Sequence, residues 1–142
     1  MITRLKLDDD SPRPLACYLA AEEWAAADVV SDDDYFMTWR VGPTVIIGRH
    51  QSLEDEVDTA YCRSHGIDIV RRKSGGGAVY ADMNNIMFSY IAFPKPGESI
   101  HDTFCRFTAK TAHLMQSLGV DALVSGRNDL TVDGCKVSGY SY

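Results

Sequence analysis

Three cations run straight into three glycines at Arg71-Arg72-Lys73-Ser74-Gly75-Gly76-Gly77, and the chain then opens into the apolar run Ala78-Val79-Tyr80. Glycine lacks a Cβ, so the backbone there can bend through positive φ and bring bare N–H groups close to an anion. The neighbouring guanidinium groups supply the opposite charge and can grip phosphate or carboxylate oxygens in pairs. Ile67–Arg71 reads as a strand delivering this loop, and Ala78–Tyr80 as the strand that leaves it. The segment is therefore a strand–loop–strand unit shaped for a small phosphorylated or carboxylated molecule. It is not the phosphate loop of nucleoside triphosphatases, because no Lys-Ser or Lys-Thr follows the last glycine and no helix begins there. The spaced glycines of a dinucleotide-binding turn are also missing.

The rest of the chain alternates helical and strand patterns. Residues 15–30 read as a helix with Leu15, Leu19, Ala26 and Val30 near one face, ended by Asp32–Asp34. Strands are expected over Tyr35–Val41 and Thr44–Gly48, parted by the turn pair Gly42-Pro43. Ser52 with Asp55 predicts a helix over 54–65 closed by Gly66. Ile86–Phe93 is a further strand, reached through the turn Asp82-Met83-Asn84-Asn85. Ile100, Phe104, Phe107, Thr111, Leu114, Met115 and Leu118 recur every three or four residues, which predicts a helix over 100–118 stopped by Gly119. Its apolar stripe reads as core. The tail from Asp121 reads as short strands broken by Gly126, Gly134 and Gly139. Without strict βαβ alternation, the expectation is an α+β fold: helices on a mostly antiparallel sheet.

Charge narrows the partner. Fourteen Lys plus Arg stand against 20 Asp plus Glu, a formal net charge of -6, so a nucleic-acid backbone would be repelled. The cluster at 71–73 is thus aimed at one small anion. The runs Asp8–Asp10 and Asp32–Asp34 read as solvated turns. Cys17, Cys62, Cys105 and Cys135 form no CxxC pair, which disfavours a zinc site or disulfide framework and fits a reduced compartment. No segment approaches the roughly 20 apolar residues of a membrane span, nor does the N-terminus resemble a signal peptide. A soluble, cytoplasmic chain of one domain is expected, with no membrane partner.

Two later segments carry candidate chemistry: Gly126-Arg127-Asn128-Asp129-Leu130 and Gly134-Cys135-Lys136-Val137-Ser138-Gly139. A lysine between glycines can aim its ammonium at oxygens where transition-state charge collects. Equally, it can be a surface lysine on a hairpin. Asp129 can give one carboxylate to Mg2+ when a nucleotide brings the other oxygens, or it can close an Asx turn. Three glycines alone mark only a flexible turn.

Taken in order, these motifs resemble those of lipoate–protein ligase A and its relatives in the biotin/lipoate ligase superfamily. The stretch 71–80 is similar to the family's RR-x-SGGGAV-aromatic signature. Asn85 with Met87-Phe88-Ser89 is similar to its Asn-x-x-Phe-Ser/Thr element, and the two later segments to its GRNDL and K-x-SG motifs. Trp39-Arg40 and Thr44–Arg49 resemble its tryptophan and T-VIGR strands.

The resemblance implies a class II synthetase-like catalytic domain of which residues 1–142 form an N-terminal part. It also implies ATP-dependent activation of lipoate to lipoyl-adenylate, then transfer to a lysine of lipoyl-acceptor domains. Those acceptors belong to 2-oxoacid dehydrogenase complexes or the glycine cleavage H protein. By the same resemblance Arg72, Gly75, Gly76, Gly77, Ala78, Val79, Tyr80, Asn85 and Asp129 bind ATP or the adenylate. Trp39, Arg71, Val79 and Lys136 bind lipoate, Lys136 is catalytic, and Asp129 assists Mg2+.

The pattern departs from the family at four places. Ala81 stands where histidine is common, Tyr18-Leu19-Ala20 replaces an Asn-Leu-Ala element, Tyr140 follows the lysine motif, and the family's domain continues beyond position 142. A truncated ligase domain with a missing C-terminal chain is the expectation. The alternatives are an octanoyl or lipoyl transferase of the same superfamily and a non-catalytic lipoate- or adenylate-binding fragment.

Overall fold

A computed structural model describes residues 2–7, 11–27, 33–126 and 129–141. Asp8–Asp10, Val30, Asp32, Arg127 and Asn128 lie outside the described residues. The chain divides into two compact units, residues 1–92 and 93–142.

The first unit opens with strand β1 (Ile2–Arg4) and helix α1 (Leu15–Ala27), then β2 (Asp34–Trp39) and β3 (Thr44–Ile47). β1 was not anticipated, and Asp34 belongs to β2 rather than to a turn. β1 pairs parallel with β2, and β2 pairs antiparallel with β6 (Met87–Ile91). A second sheet centres on β3, flanked in parallel by β4 (Asp68–Arg71) and antiparallel by β5 (Val79–Ala81). The face of α1 that is buried runs through Leu15, Tyr18 and Ala25, with Glu22 half-buried between them, while Ala26 is exposed. The core gathers Leu15, Tyr18, Met37, Trp39, Val41, Ile46 and Ala81.

The single helix expected over 54–65 is two short ones, α2 (Leu53–Glu56) and α3 (Thr59–Ser64). Val57 and Asp58 are extended between them, and Asp58 caps α3 by accepting from the Tyr61 N–H. Ser52 makes no side-chain cap bond. An Asp able to satisfy a helix's first N–H groups starts a new helix more readily than it continues an old one.

The second unit is helix α4 (Ile100–Ser117) followed by the antiparallel meander β7 (Leu123–Ser125), β8 (Asp129–Val132) and β9 (Cys135–Gly139). Ser99 and Asp102 cap α4 reciprocally. Its buried face is Thr103, Phe107, Thr108, Thr111 and Ala112, whereas Ile100, Leu114 and Leu118 are exposed. The expected stripe is thus rotated. Threonine hydroxyls bond back to carbonyls one turn earlier, as Thr108 does to Phe104 and Thr111 to Phe107, so these polar residues bury without an orphaned hydroxyl. Asp133 and Gly134 both adopt positive φ in the two-residue β8–β9 turn. Gly139 is the last residue of β9, where the strand ends as expected. Among the described residues, three small sheets, antiparallel in four of their six pairings, confirm the α+β class.

Candidate active site

The glycine loop is built by the end of the β3 sheet. The Arg72 N–H continues the β3–β4 ladder by donating to the Ile47 carbonyl at 3.0 Å. β3 then turns at Gly48, where the Gly48 N–H reaches the Gln51 Oε1 at 2.8 Å. The Arg49 N–H donates to the Ser74 carbonyl at 3.0 Å, stitching this turn to the loop. A Cβ on Gly48 would stand 2.1 Å from the Gly76 oxygen. Only a bare backbone lets the two segments lie this close. The importance of Gly48 was not legible in the sequence, since its contact is made 28 positions away.

The cations are bound by groups of the protein itself. Arg71 Nη1 donates to the carbonyls of Gly48 at 2.9 Å and Gln51 at 2.7 Å. Arg72 donates through Nη2 to Gly75 and Gly77, both at 2.8 Å, and through Nη1 to Ile46 at 3.1 Å. Burial lowers the Arg72 pKa from its usual value, and the ring of carbonyls is what keeps the charge satisfied there. Lys73, largely exposed, pairs with Glu23 of α1. The hydrogen bonds of Arg71 and Arg72 thus shape the protein's own loops, and the ion pair of Lys73 ties the glycine loop to α1. That has a steric consequence. A trans peptide points its N–H opposite its C=O, so drawing the Gly75 and Gly77 oxygens to Arg72 turns the Gly76 and Ala78 N–H bonds away from it.

Val79 and Tyr80 leave the loop half-exposed, and Ala81 is buried in the core. The Tyr80 hydroxyl is pushed above the usual phenol range, first by desolvation and then by the Asp82 carboxylate. Asn85 closes its own turn, accepting from the Asp82 N–H at 2.9 Å through Oδ1.

Trp39 is held on two sides. It stacks on Tyr18 with ring centroids 5.1 Å apart, and its indole N–H donates to Ser89 Oγ at 2.8 Å. Ser89 in turn donates to the half-buried Glu22, whose pKa is raised by burial, with the Ser89 bond opposing. A cleft of about 390 Å³ opens beside Trp39, walled by Leu5, Leu7, Tyr18, Met37 and Ile86. None of residues 71–80 lines it, so Trp39 borders this cleft without Val79.

Lys136 and Asp129 belong to the second unit and are paired: Nζ stands 2.8 Å from Oδ1. No group of three or more His, Cys, Asp or Glu side chains is placed to hold a metal among the described residues. No helix there is long and apolar enough to cross a membrane.

The lipoyl protein ligase A/B catalytic domain family matches residues 15–142. Lipoate–protein ligase 1 of Staphylococcus aureus and a lipoate–protein ligase of Bacillus subtilis are each 42% identical over 121 residues. Those matches cover 85% of this chain and 36% of each relative. Among solved structures, a lipoate–protein ligase A bound with ATP is similar at 28% identity and TM-score 0.85, covering 97% of this chain and 59% of that one. A Thermoplasma acidophilum protein with bound lipoic acid gives 28%, 0.86, 99% and 61%. A bipartite ligase of that organism, described with its E2 lipoyl domain, gives 28%, 0.78, 92% and 50%. With the domain match running over 128 of its 142 residues, the chain belongs to the lipoyl protein ligase A/B catalytic domain family.

Proposed function

We propose that this chain, as the N-terminal part of a lipoate ligase catalytic domain, activates lipoate with ATP and passes the lipoyl group to a protein lysine. The observation that carries this reading is the double loop at Gly48 and Gly76. Arginines hold its carbonyls on one side, which leaves N–H groups directed to the other, where phosphate oxygens can accept from them. Family membership, and neighbours solved with ATP or with lipoic acid, support the substrates.

In the first step a carboxylate oxygen attacks the α-phosphorus, the bond to the bridging oxygen breaks, and pyrophosphate leaves. Both reactants are anions, so positioning and charge stabilisation dominate the barrier. In this reading the loop from Gly75 to Tyr80, shaped by Arg72, holds ATP, with Asn85 fixing the adjoining turn. Trp39, Arg71 and Val79 shape the lipoate side. Lys136 bridges the acyl carboxylate and the α-phosphate. An acceptor lysine then attacks the mixed anhydride, AMP departs, and the amine loses a proton. Asp129 fits Mg2+ only as a single carboxylate, since its Oδ1 already faces Lys136. The metal would neutralise phosphate charge when bound. The acceptor is a lipoyl domain, supported by the neighbour described with its E2 lipoyl domain, and the H protein offers the same chemistry.

The test is lipoate-dependent pyrophosphate release from ATP and Mg2+, followed by the mass of a lipoyl domain added afterwards. Release and a mass gain of one lipoyl group are expected. No release at high enzyme concentration, with no heat of binding for a lipoyl-adenylate analogue, would overturn the reading. Binding without release would leave the adenylate-binding fragment in its place.

A further inference from the structure

Side chains alternate along a strand, so residues three apart in regular β structure face opposite ways. Lys136 and Gly139 are three apart, yet they share a face. Gly139 pairs with Asp129 and Lys136 with Thr131, and the register shifts between Leu130 and Thr131. Asp129 and Thr131, two apart, lie on one side of β8. The shift leaves Val137 as an extra residue on β9, and this bulge reverses the alternation. Lys136 can therefore run forward along its own strand toward Asp129. It passes directly over Gly139: a Cβ there would stand 3.1 Å from both Lys136 Cε and Nζ, and 3.7 Å from Asp129 Oδ1.

We propose that the Val137 bulge and the bare Gly139 are a positioning device for Lys136, with Asp129 as its resting counter-ion. The proposal rests on the reading of Lys136 as the group that meets the acyl and phosphate oxygens. The side chains of the pair are 58% and 33% exposed, with the contacting Oδ1 itself buried, and a partly exposed ion pair is weak enough to exchange. Substrate oxygens then replace Asp129 on an ammonium already held in direction, and the carboxylate takes it back when products leave. A Cβ at 139 makes the lysine give by a few tenths of an ångström, and a branched side chain pushes it further off this path. Removing Val137 would leave Lys136 and Gly139 two apart and still on one face, so position 139 is the part of the device that a substitution tests.

Trace acetylation with acetic anhydride, read as labelling of Lys136 relative to the other lysines, tests the device on the whole chain. Gly139→Ala and Gly139→Val are expected to change that labelling in a graded way, valine by several-fold. Asp129→Asn shifts it in the same direction, and adding Gly139→Val to Asp129→Asn moves it little further. Should Gly139→Val fail to fold, Gly139→Ala carries the test. Labelling unchanged in the folded position-139 variants, or independent additive effects of the two sites, overturns the proposal. Adenylate formation separates the two readings. A Lys136→Ala variant with an unchanged rate removes the catalytic role while leaving the labelling result standing. A lost rate with unchanged Gly139 labelling removes only the positioning device.

Discussion

Gly48 is where one methyl group is expected to matter most. Its Cβ would meet a backbone oxygen at 2.1 Å rather than the end of a flexible side chain, so nothing short of moving the loop relieves it. Gly48→Ala should cost about 1–3 kcal/mol, the usual range for forced overpacking, read as a lower denaturant midpoint. It should also expose residues 72–77 to limited proteolysis. An unchanged midpoint with an intact loop would show that the loops are not locked there. Arg72→Lys tests the other half of the lock. One ammonium cannot reproduce a fork that reaches Ile46, Gly75 and Gly77 together. Retained charge without the fork should raise the KM for ATP and leave lipoate binding in calorimetry nearly unchanged. Equal losses for both substrates would argue against a loop-specific effect. The glycine run was readable because glycine and arginine types announce a tight loop near charge. The partners of the arginines were not, because carbonyl oxygens carry no signature in a sequence.

Helix α4 shows the same division at the scale of an element. Its ends were legible, Gly119 from its residue type and the start from the periodicity. Its buried face was not, because threonines that satisfy their hydroxyls within the helix behave as core residues that a hydrophobic pattern overlooks. The break at Val57-Asp58 was hidden for a related reason, a capping aspartate inside a run that otherwise continues. The β9 bulge was invisible altogether, since register is decided by the partner strand. Before α4, Glu98 accepts from Arg106 Nε at 2.8 Å and from the Lys95 N–H at 2.9 Å. The Arg106 bonds come first among the causes that hold its carboxyl down to about 2. A depressed carboxyl adds stability above its unfolded value near 4.5, and this is lost as pH falls through that value toward 2. Arg106→Ala is expected to remove most of the acid sensitivity of α4, followed by amide exchange between pH 5 and 2. An acid profile identical to that of the parent would exclude the pair as its source.

Across the whole molecule these groups pull the two units in opposite directions with pH. The second unit holds Glu98 and Asp102, both lowered, the latter first by its bond with Ser99. The first unit holds Glu22, raised by burial, and Tyr80, raised by desolvation and Asp82. A raised group contributes stability below its unfolded value and loses it as pH climbs through the folded one. Glu22 therefore favours its unit below about 4.5 and withdraws that support above, while Tyr80 withdraws its own above about 10. Acid should loosen residues 93–142 first, and alkali residues 1–92 first. Peptide-resolved hydrogen exchange, corrected for intrinsic rates, gives each unit its own pH profile. Glu22→Gln supplies the internal control: it keeps a polar partner for Ser89 but cannot ionise, so it should flatten the decline of residues 1–92 above about pH 4.5. If both units lose protection together at either extreme, or if Glu22→Gln leaves the slope intact, the opposed titrations do not govern the two units. In the pH range where ATP and lipoate are both fully ionised, Glu98 and Asp102 are charged and fully supporting, whereas Glu22 has begun to withdraw. Helix α1, which ties Glu22 to Ser89 and Glu23 to Lys73, is where that loss enters the unit that carries the glycine loop.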